Sequence, residues 1–163
     1  NEMDLEDIRK NILHFKGIKK RFDIIHKNGS IVIDDYAHHP TEIAVTLGSV
    51  KKYADLKGID EITSIWQPHK YSRTITNLNK FIECFESCGK LIILPVWSAG
   101  EEKVDIDFKS SFSRYNPTMA DFIQREEDTL HIIKDDKIIS SIDTGLVVGF
   151  GAGDITYQLR GTH

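Results

Sequence analysis

The chain has 163 residues, 40% of them hydrophobic and 28% charged, which suits one domain with a real core and excludes a disordered segment. Its 25 acidic and 21 basic residues leave a net charge of −4, and this argues against a nucleic-acid binder working through a generally basic surface. No apolar run approaches the ~20 residues that span a bilayer, no secretion signal opens the chain, and the first residue is Asn1 rather than Met, as expected of a piece of a longer protein.

Asp4 is suited to cap a helix with Leu5, Ile8 and Ile12 on one face, ended by Gly17. Residues 21–25 and 30–34 then read as two strands joined by Asn28-Gly29, a pair that favours a tight hairpin turn. Pro40 and Thr41 open the next helix, with Ile43, Leu47 and Val50 on one side and Gly58 closing it. Residues 62–66 read as a short strand, 67–73 as a polar loop, and Ile75, Leu78, Ile82 and Phe85 as one amphipathic helix with Gly89 as its C-terminal cap. Within that helix the two cysteines, Cys84 and Cys88, are expected to be reduced thiols of a cytosolic protein, because a disulfide framework or zinc site needs more ligands. Residues 91–96 have no polar face, as expected of a strand covered by helices on both sides. Residues 107–114 suit a short helix, 117–127 are ambiguous, and 130–133 and 138–142 read as strands or as strand plus helix. A buried strand at 146–150 runs into Gly151-Ala152-Gly153-Asp154. Alternating strands and helices with short loops predict an α/β fold with a mainly parallel sheet, helices on both faces and an N-terminal β-hairpin.

In such sheets ligands collect beyond the carboxyl ends of the strands. Three polar segments lie there: Asp34-Asp35-Tyr36-Ala37-His38-His39-Pro40, Gln67-Pro68-His69-Lys70-Tyr71-Ser72-Arg73, and Gly151-Ala152-Gly153-Asp154. Asp34 and Asp35 close a strand, so their side chains face opposite ways and one can reach a ligand such as a ribose. His69, Lys70 and Arg73 at a helix start form a receptor for a carboxylate or phosphate. Gly151 and Gly153 lack the rest of a dinucleotide fingerprint, and no G-x-x-x-x-G-K-[ST] loop occurs, so they read as a tight turn that lets backbone approach closely. His38, His39 and His69 also invite a metal. Adjacent histidines diverge, however, and no H-x-H or H-x-x-x-H spacing occurs, so hydrogen bonding is expected of them and no metal site.

Taken in order, Phe15-Lys16-Gly17-Ile18-Lys19-Lys20-Arg21-Phe22, the Asp34 to Glu42 block, the Gln67 to Arg73 block, Ser98-Ala99-Gly100-Glu101 and Gly151-Ala152-Gly153-Asp154-Ile155 resemble the C-terminal domain of the Mur ligases, nearest to the alanine-adding branch. The resemblance runs from about Leu5 to about Arg160 and is poorest over 102–144. It implies a Rossmann-like third domain over 17–163, with 1–16 as the tail of a central P-loop ATPase domain. It further implies an ATP-dependent ligase that activates the carboxylate of UDP-N-acetylmuramate as an acyl phosphate and joins L-alanine to it in peptidoglycan precursor synthesis. ATP and Mg²⁺ would be held mainly by the central domain, and the piece alone would be inactive. The resemblance gives Arg21 the nucleotide phosphates, Asp35 the ATP ribose, and Tyr36, His38 and His39 places near nucleotide and amino acid. It gives His69 and Arg73 the amino acid's carboxylate, with Lys70 standing where many relatives carry arginine. Its setting is the bacterial cytoplasm. Its partners are the other two domains of the same chain, with no nucleic acid and no membrane, and a hinge near 14–18 would close the site. Three other readings stay open: a tripeptide-adding ligase of the same family, a metal-dependent phosphohydrolase using Asp34, Asp35, His38, His39 and His69, and a non-catalytic nucleotide- or anion-binding module.

Overall fold

Nine strands, five α-helices and one short 3-10 helix (Ser113–Tyr115) make up the computed structural model, which describes residues 20–26 and 28–162. The helix expected over 4–13, the tail 1–16, the first part of the Phe15–Phe22 block and the hinge near 14–18 lie outside the described residues. The strands are β1 (Asp23–His26), β2 (Ile31–Asp35), β3 (Ile62–Trp66), β4 (Lys90–Ile93), β5 (Thr118–Met119), β6 (Phe122–Glu126), β7 (Thr129–Lys134), β8 (Lys137–Ile142) and β9 (Leu146–Phe150). The helices are α1 (Pro40–Lys57), α2 (Tyr71–Thr76), α3 (Leu78–Cys84), α4 (Phe108–Ser111) and α5 (Ile155–Arg160).

Six strands form one sheet in the order β1-β2-β9-β3-β4-β5. β1 and β2 pair antiparallel as the hairpin, and every other neighbouring pair in this sheet is parallel. Strands β2, β3 and β9 are buried almost throughout, so alternate residues feed two cores. Ile33, Trp66, Ile93, Val148 and Phe150 belong to one core, and Val32, Ile65, Ile92 and Val147 to the other.

On the first face α1 buries Ile43, Leu47, Val50 and Ala54, a stripe at helical spacing. Pro40 occupies its first turn, where a missing N–H costs nothing, and Gly58 ends it in the left-handed conformation at φ 65°. Trp66 sits among Phe81, Phe85, Phe108 and Phe112 at ring separations of 4.7 to 5.8 Å, which fixes α3 and α4 against the sheet. The single helix expected to contain Ile75 to Phe85 is two, because Asn77 turns its amide side chain back onto the Arg73 carbonyl at 3.0 Å and breaks the run. Gly89 is not its cap: α3 stops at Cys84, and Gly89 instead lies close against the Ile62 backbone just before β4.

The second face differs from the expected layer of helices. Among the described residues only α5 lies there, packed so closely that a Cβ on Gly149 would fall 2.2 Å from Leu159 Cδ1. The rest of the cover is a second, antiparallel sheet in the order β6-β7-β8, whose Ile123, Leu130 and Ile132 complete the core with α5. The Ile123 amide donates to Gln158 Oε1 at 2.8 Å, tying α5 to β6. Both 130–133 and 138–142 are therefore strands rather than strand plus helix. β8 is exposed along most of its length, including Ile138 and Ile139. No helix of the described residues is long and apolar enough to cross a membrane.

Asp34, 1% exposed, faces the α5 side. It accepts from the Thr156 hydroxyl at 2.6 Å and from Arg160 at 2.8 Å, and Arg160 also donates to Asp23 Oδ2 at 2.7 Å. Arg160 thus binds β1, β2 and α5 together. Arg160→Met should lower the chain's stability by roughly 2–4 kcal/mol, because it strands a buried carboxylate. Asp23→Ala, at a site where water still reaches, should cost no more than about 1 kcal/mol. Urea unfolding of the two variants checks the order.

Candidate functional site

The helices after neighbouring strands β2 and β9 leave to opposite faces, α1 to the first core and α5 to the second. Such a divergence opens a crevice beyond the strand ends. The candidate residues gather along this rim.

Asp35 is 3% exposed and faces away from Asp34. Its Oδ2 accepts the Phe22 amide and its Oδ1 the Ala37 amide, each at 2.8 Å. The Tyr36 amide in turn donates to the Lys20 carbonyl at 2.7 Å, and Lys20 and Phe22 are both held at positive φ. Asp35 therefore clasps the turn that carries Arg21. Burial pushes its carboxyl above the usual range, outweighing the two amides and Arg21. Each oxygen keeps one further lone pair for a ligand, but the first duty of this residue is to shape the turn.

Glu42, in the first turn of α1, accepts the His38 and His39 amides through Oε2 at 3.2 Å each and lies 4.0 Å from Arg21 Nη1 through Oε1. Burial would raise its carboxyl, but the amides, His38 and Arg21 prevail and hold it below the usual range. His39 is the residue that starts α1. The Arg21 side chain is half-exposed, a cation resting loosely on a carboxylate.

His38 donates through Nδ1 to the Tyr36 carbonyl at 3.0 Å, with Glu42 Oε2 at 3.9 Å from the same nitrogen. The Tyr36 ring stands edge-on to His38 at 5.2 Å, and the His69 ring lies 5.5 Å from it, tilted by 54°. Arg73 Nη1 donates to His69 Nδ1 at 3.4 Å. Arg21, Glu42, His38, His69 and Arg73 therefore form one continuous row drawn from three separate stretches of sequence.

The second stretch is held by a strap from the exit of β4. His69 bridges to Trp97, the Trp97 amide donates to the Pro68 carbonyl, and the Lys70 amide to the Trp97 carbonyl. Glu101 accepts the Ser72 amide at 3.0 Å and the Ser72 hydroxyl at 2.6 Å, so it holds the first turn of α2 and keeps its own carboxyl below the usual range. Lys70 begins α2 at φ 69°, a conformation that a side chain makes strained. Helix α2 starts at Tyr71, so Tyr71, Ser72 and Arg73 belong to it and not to the loop.

The glycine turn serves close packing. A Cβ on Gly153 would fall 2.4 Å from Gln67 Oε1 and 2.7 Å from Trp97 Cγ. Gln67, itself buried, bridges Asp154 and the Ile155 amide. Among the described residues no three or more His, Cys, Asp or Glu side chains converge as metal ligands would. Asp34 and Asp35 point apart into different networks, so among the described residues the five residues of the phosphohydrolase reading do not converge on one point. Glu42 and Glu101 are the residues whose roles the sequence reading missed. Glu42 was accessible from its place three residues after the helix start, whereas Glu101 acts across 29 residues of chain.

Comparison with known proteins bears on this rim. The family model described as Mur ligase, glutamate ligase domain, matches residues 20–139. A UDP-N-acetylmuramate–L-alanine ligase of Helicobacter pylori strain P12 is 58% identical over 163 residues, 99% of this chain and 36% of that protein. One of the same name from Campylobacter curvus is 50% identical over 162 residues, 99% of this chain and 37% of that protein. The chain thus spans about a third of the length of these relatives. The crystal structure of UDP-N-acetylmuramate-alanine ligase from Thermotoga maritima superposes with a TM-score of 0.67 at 24% identity, over 97% of this chain and 32% of that one.

The row has a measurable electrostatic signature. Burial, then Arg73, His38 and Lys70, lower the His69 pKa from its ordinary 6.5. Fewer protons therefore bind His69 at a given acidic pH than bind a free imidazole. NMR titration should find it neutral at pH values where an exposed histidine is charged, and Arg73→Ala should move its midpoint upward.

Proposed function

The chain belongs to the Mur ligase family, and from that premise we propose that it is the Rossmann-like C-terminal domain of an ATP-dependent ligase that joins L-alanine to UDP-N-acetylmuramate in the bacterial cytoplasm. The observation that carries this reading is the continuous row from Arg21 to Arg73 on a rim beyond the strand ends, with an arginine at each end suited to an anionic group. The expected reaction needs both. A carboxylate resists attack by an amine until it is converted to an acyl phosphate, and the protein's task is then placement and charge neutralisation.

In this reading Arg21 leaves Glu42 for the phosphate oxygens, which offer its guanidinium a better-matched, more highly charged acceptor. Tyr36 and His38 flank the nucleotide, and Asp35 holds the Arg21 turn in place, with its remaining lone pairs toward the ribose. Arg73, Lys70 and His69 receive the carboxylate of alanine: Arg73 and Lys70 supply charge and His69 an N–H, and His39 lines the same end. In the same reading Mg²⁺ and most nucleotide contacts fall to the central domain. Residues 1–16 serve as the tail of that domain, 17–163 form the third domain, and the partners of this rim are the other two domains of the same chain. Closure brings them together.

In the full-length protein, Arg73→Ala removes a charge-assisted contact worth about 2–3 kcal/mol, so the KM for alanine should rise roughly a hundredfold. The KM for ATP should stay within about twofold; equal rises would refute the assignment. Arg21→Ala should instead slow acyl-phosphate formation by a similar factor, read from single-turnover ADP release. The isolated 163-residue chain should form no amide product with all three substrates.

A further inference from the structure

The hydrogen bonds on the rim determine which nitrogen of each histidine carries a proton. A guanidinium only donates, so His69 Nδ1, which meets Arg73 Nη1 at 3.4 Å, is an acceptor, and the neutral ring carries its proton on Nε2. A carbonyl only accepts, so His38 Nδ1, 3.0 Å from the Tyr36 oxygen, carries the proton, and His38 Nε2 holds a lone pair. The two neighbouring rings, 5.5 Å apart and tilted by 54°, therefore differ in chemistry. His69 presents an N–H beside the Arg73 cation, as a carboxylate requires. His38 presents a base next to it.

We infer that His38 is the catalytic base that takes the proton from the ammonium group of the incoming amino acid while His69 and Arg73 hold its carboxylate. This rests on the ligase reading above and adds to it a role for a residue otherwise placed beside the nucleotide. An α-amino acid reaches the rim as a zwitterion, and its nitrogen has no lone pair until a proton leaves. His38 Nε2 accepts that proton, and the N–H bonding pair remains on nitrogen. That pair forms the C–N bond to the acyl carbon as the C–O bond to phosphate breaks, its electrons leaving with the phosphate. The second nitrogen proton passes to the departing phosphate, and His38 returns its own to solvent.

The surroundings of His38 suit this cycle. Once protonated, the ring has both N–H groups, with Nδ1 still on the Tyr36 carbonyl and Glu42 Oε2 3.9 Å away to balance the charge. The groups that face it are Tyr36 from the exit of β2, Glu42 from α1 and His69 from the exit of β3, with Arg21 behind Glu42 and Arg73 behind His69. The His38 and His39 amides bound by Glu42 keep the ring's backbone in place through the cycle.

The test uses the full-length protein and His38→Asn, whose side-chain amide can still donate to the Tyr36 carbonyl but offers no lone pair at the Nε2 position. Ligation of alanine at saturating substrate should fall about a hundredfold, the contribution of a placed base. Hydroxamate formed with hydroxylamine in place of alanine, a nucleophile largely free of its extra proton at neutral pH, should fall at least about tenfold less than alanine ligation does. Equal loss in both assays would mean that His38 serves the phosphorylation step, and undiminished ligation would mean that the ammonium loses its proton elsewhere; either result overturns the inference. Absence of both products in the wild-type protein would instead overturn the ligase reading beneath it. If His38→Asn does not fold, wild-type single-turnover kinetics decide the matter. Acyl-phosphate formation should be flat toward acid pH while amide formation falls, and parallel profiles would count against His38.

Discussion

Two consecutive carboxylates at the end of β2 organise the molecule, because a strand sends neighbouring side chains to opposite faces. Asp34 turns to the second core and binds Arg160 and Thr156, which fastens the last helix and, through Asp23, the first strand. Asp35 turns the other way and takes the Phe22 and Ala37 amides, which forms the turn carrying Arg21 and the path into the His38 segment. Fold and site thus share one dipeptide. A register slip of one residue along β2 would exchange the two environments and lose both networks.

The rim itself is built by acceptors that bind backbone amides. Glu42 holds the start of α1 and Glu101 the start of α2. Around these anchors the functional groups are less constrained: Arg21 touches Glu42 only at 4.0 Å, and Arg73 meets His69 at a long 3.4 Å. Firm backbone with loosely held cations is what a surface needs if it is to exchange internal partners for ligand oxygens.

Much of this was legible in the residues. Strands 62–66 and 146–150 occur with the expected bounds, because apolar runs of that length between turn residues have few alternatives. Helix α1 follows its punctuation from Pro40 to Gly58. The convergence of three polar segments followed from the rule that parallel strands point their ends to one side. What escaped the reading has equally physical causes. The turn between β7 and β8 uses Asp135 and Asp136, both at positive φ, without the glycine that announces such a hairpin. β8 is exposed on both sides and so carries no alternation to read. The helix break at Asn77 depends on one side-chain hydrogen bond, and the clasp of Asp35 on amides that only the folded turn presents.

β8 has one further consequence. It lies at the margin of the second sheet among the described residues and offers an unused row of backbone donors and acceptors beside exposed Ile138 and Ile139. Such a margin invites a second molecule to add a strand and begin a fibre. Here Asp135, Asp136 and Lys137 stand at one end and Asp143 at the other, and any copy docking edge to edge would have to bring its own like charges against them. The same acidic turn that hid the hairpin from view acts as a guard against aggregation.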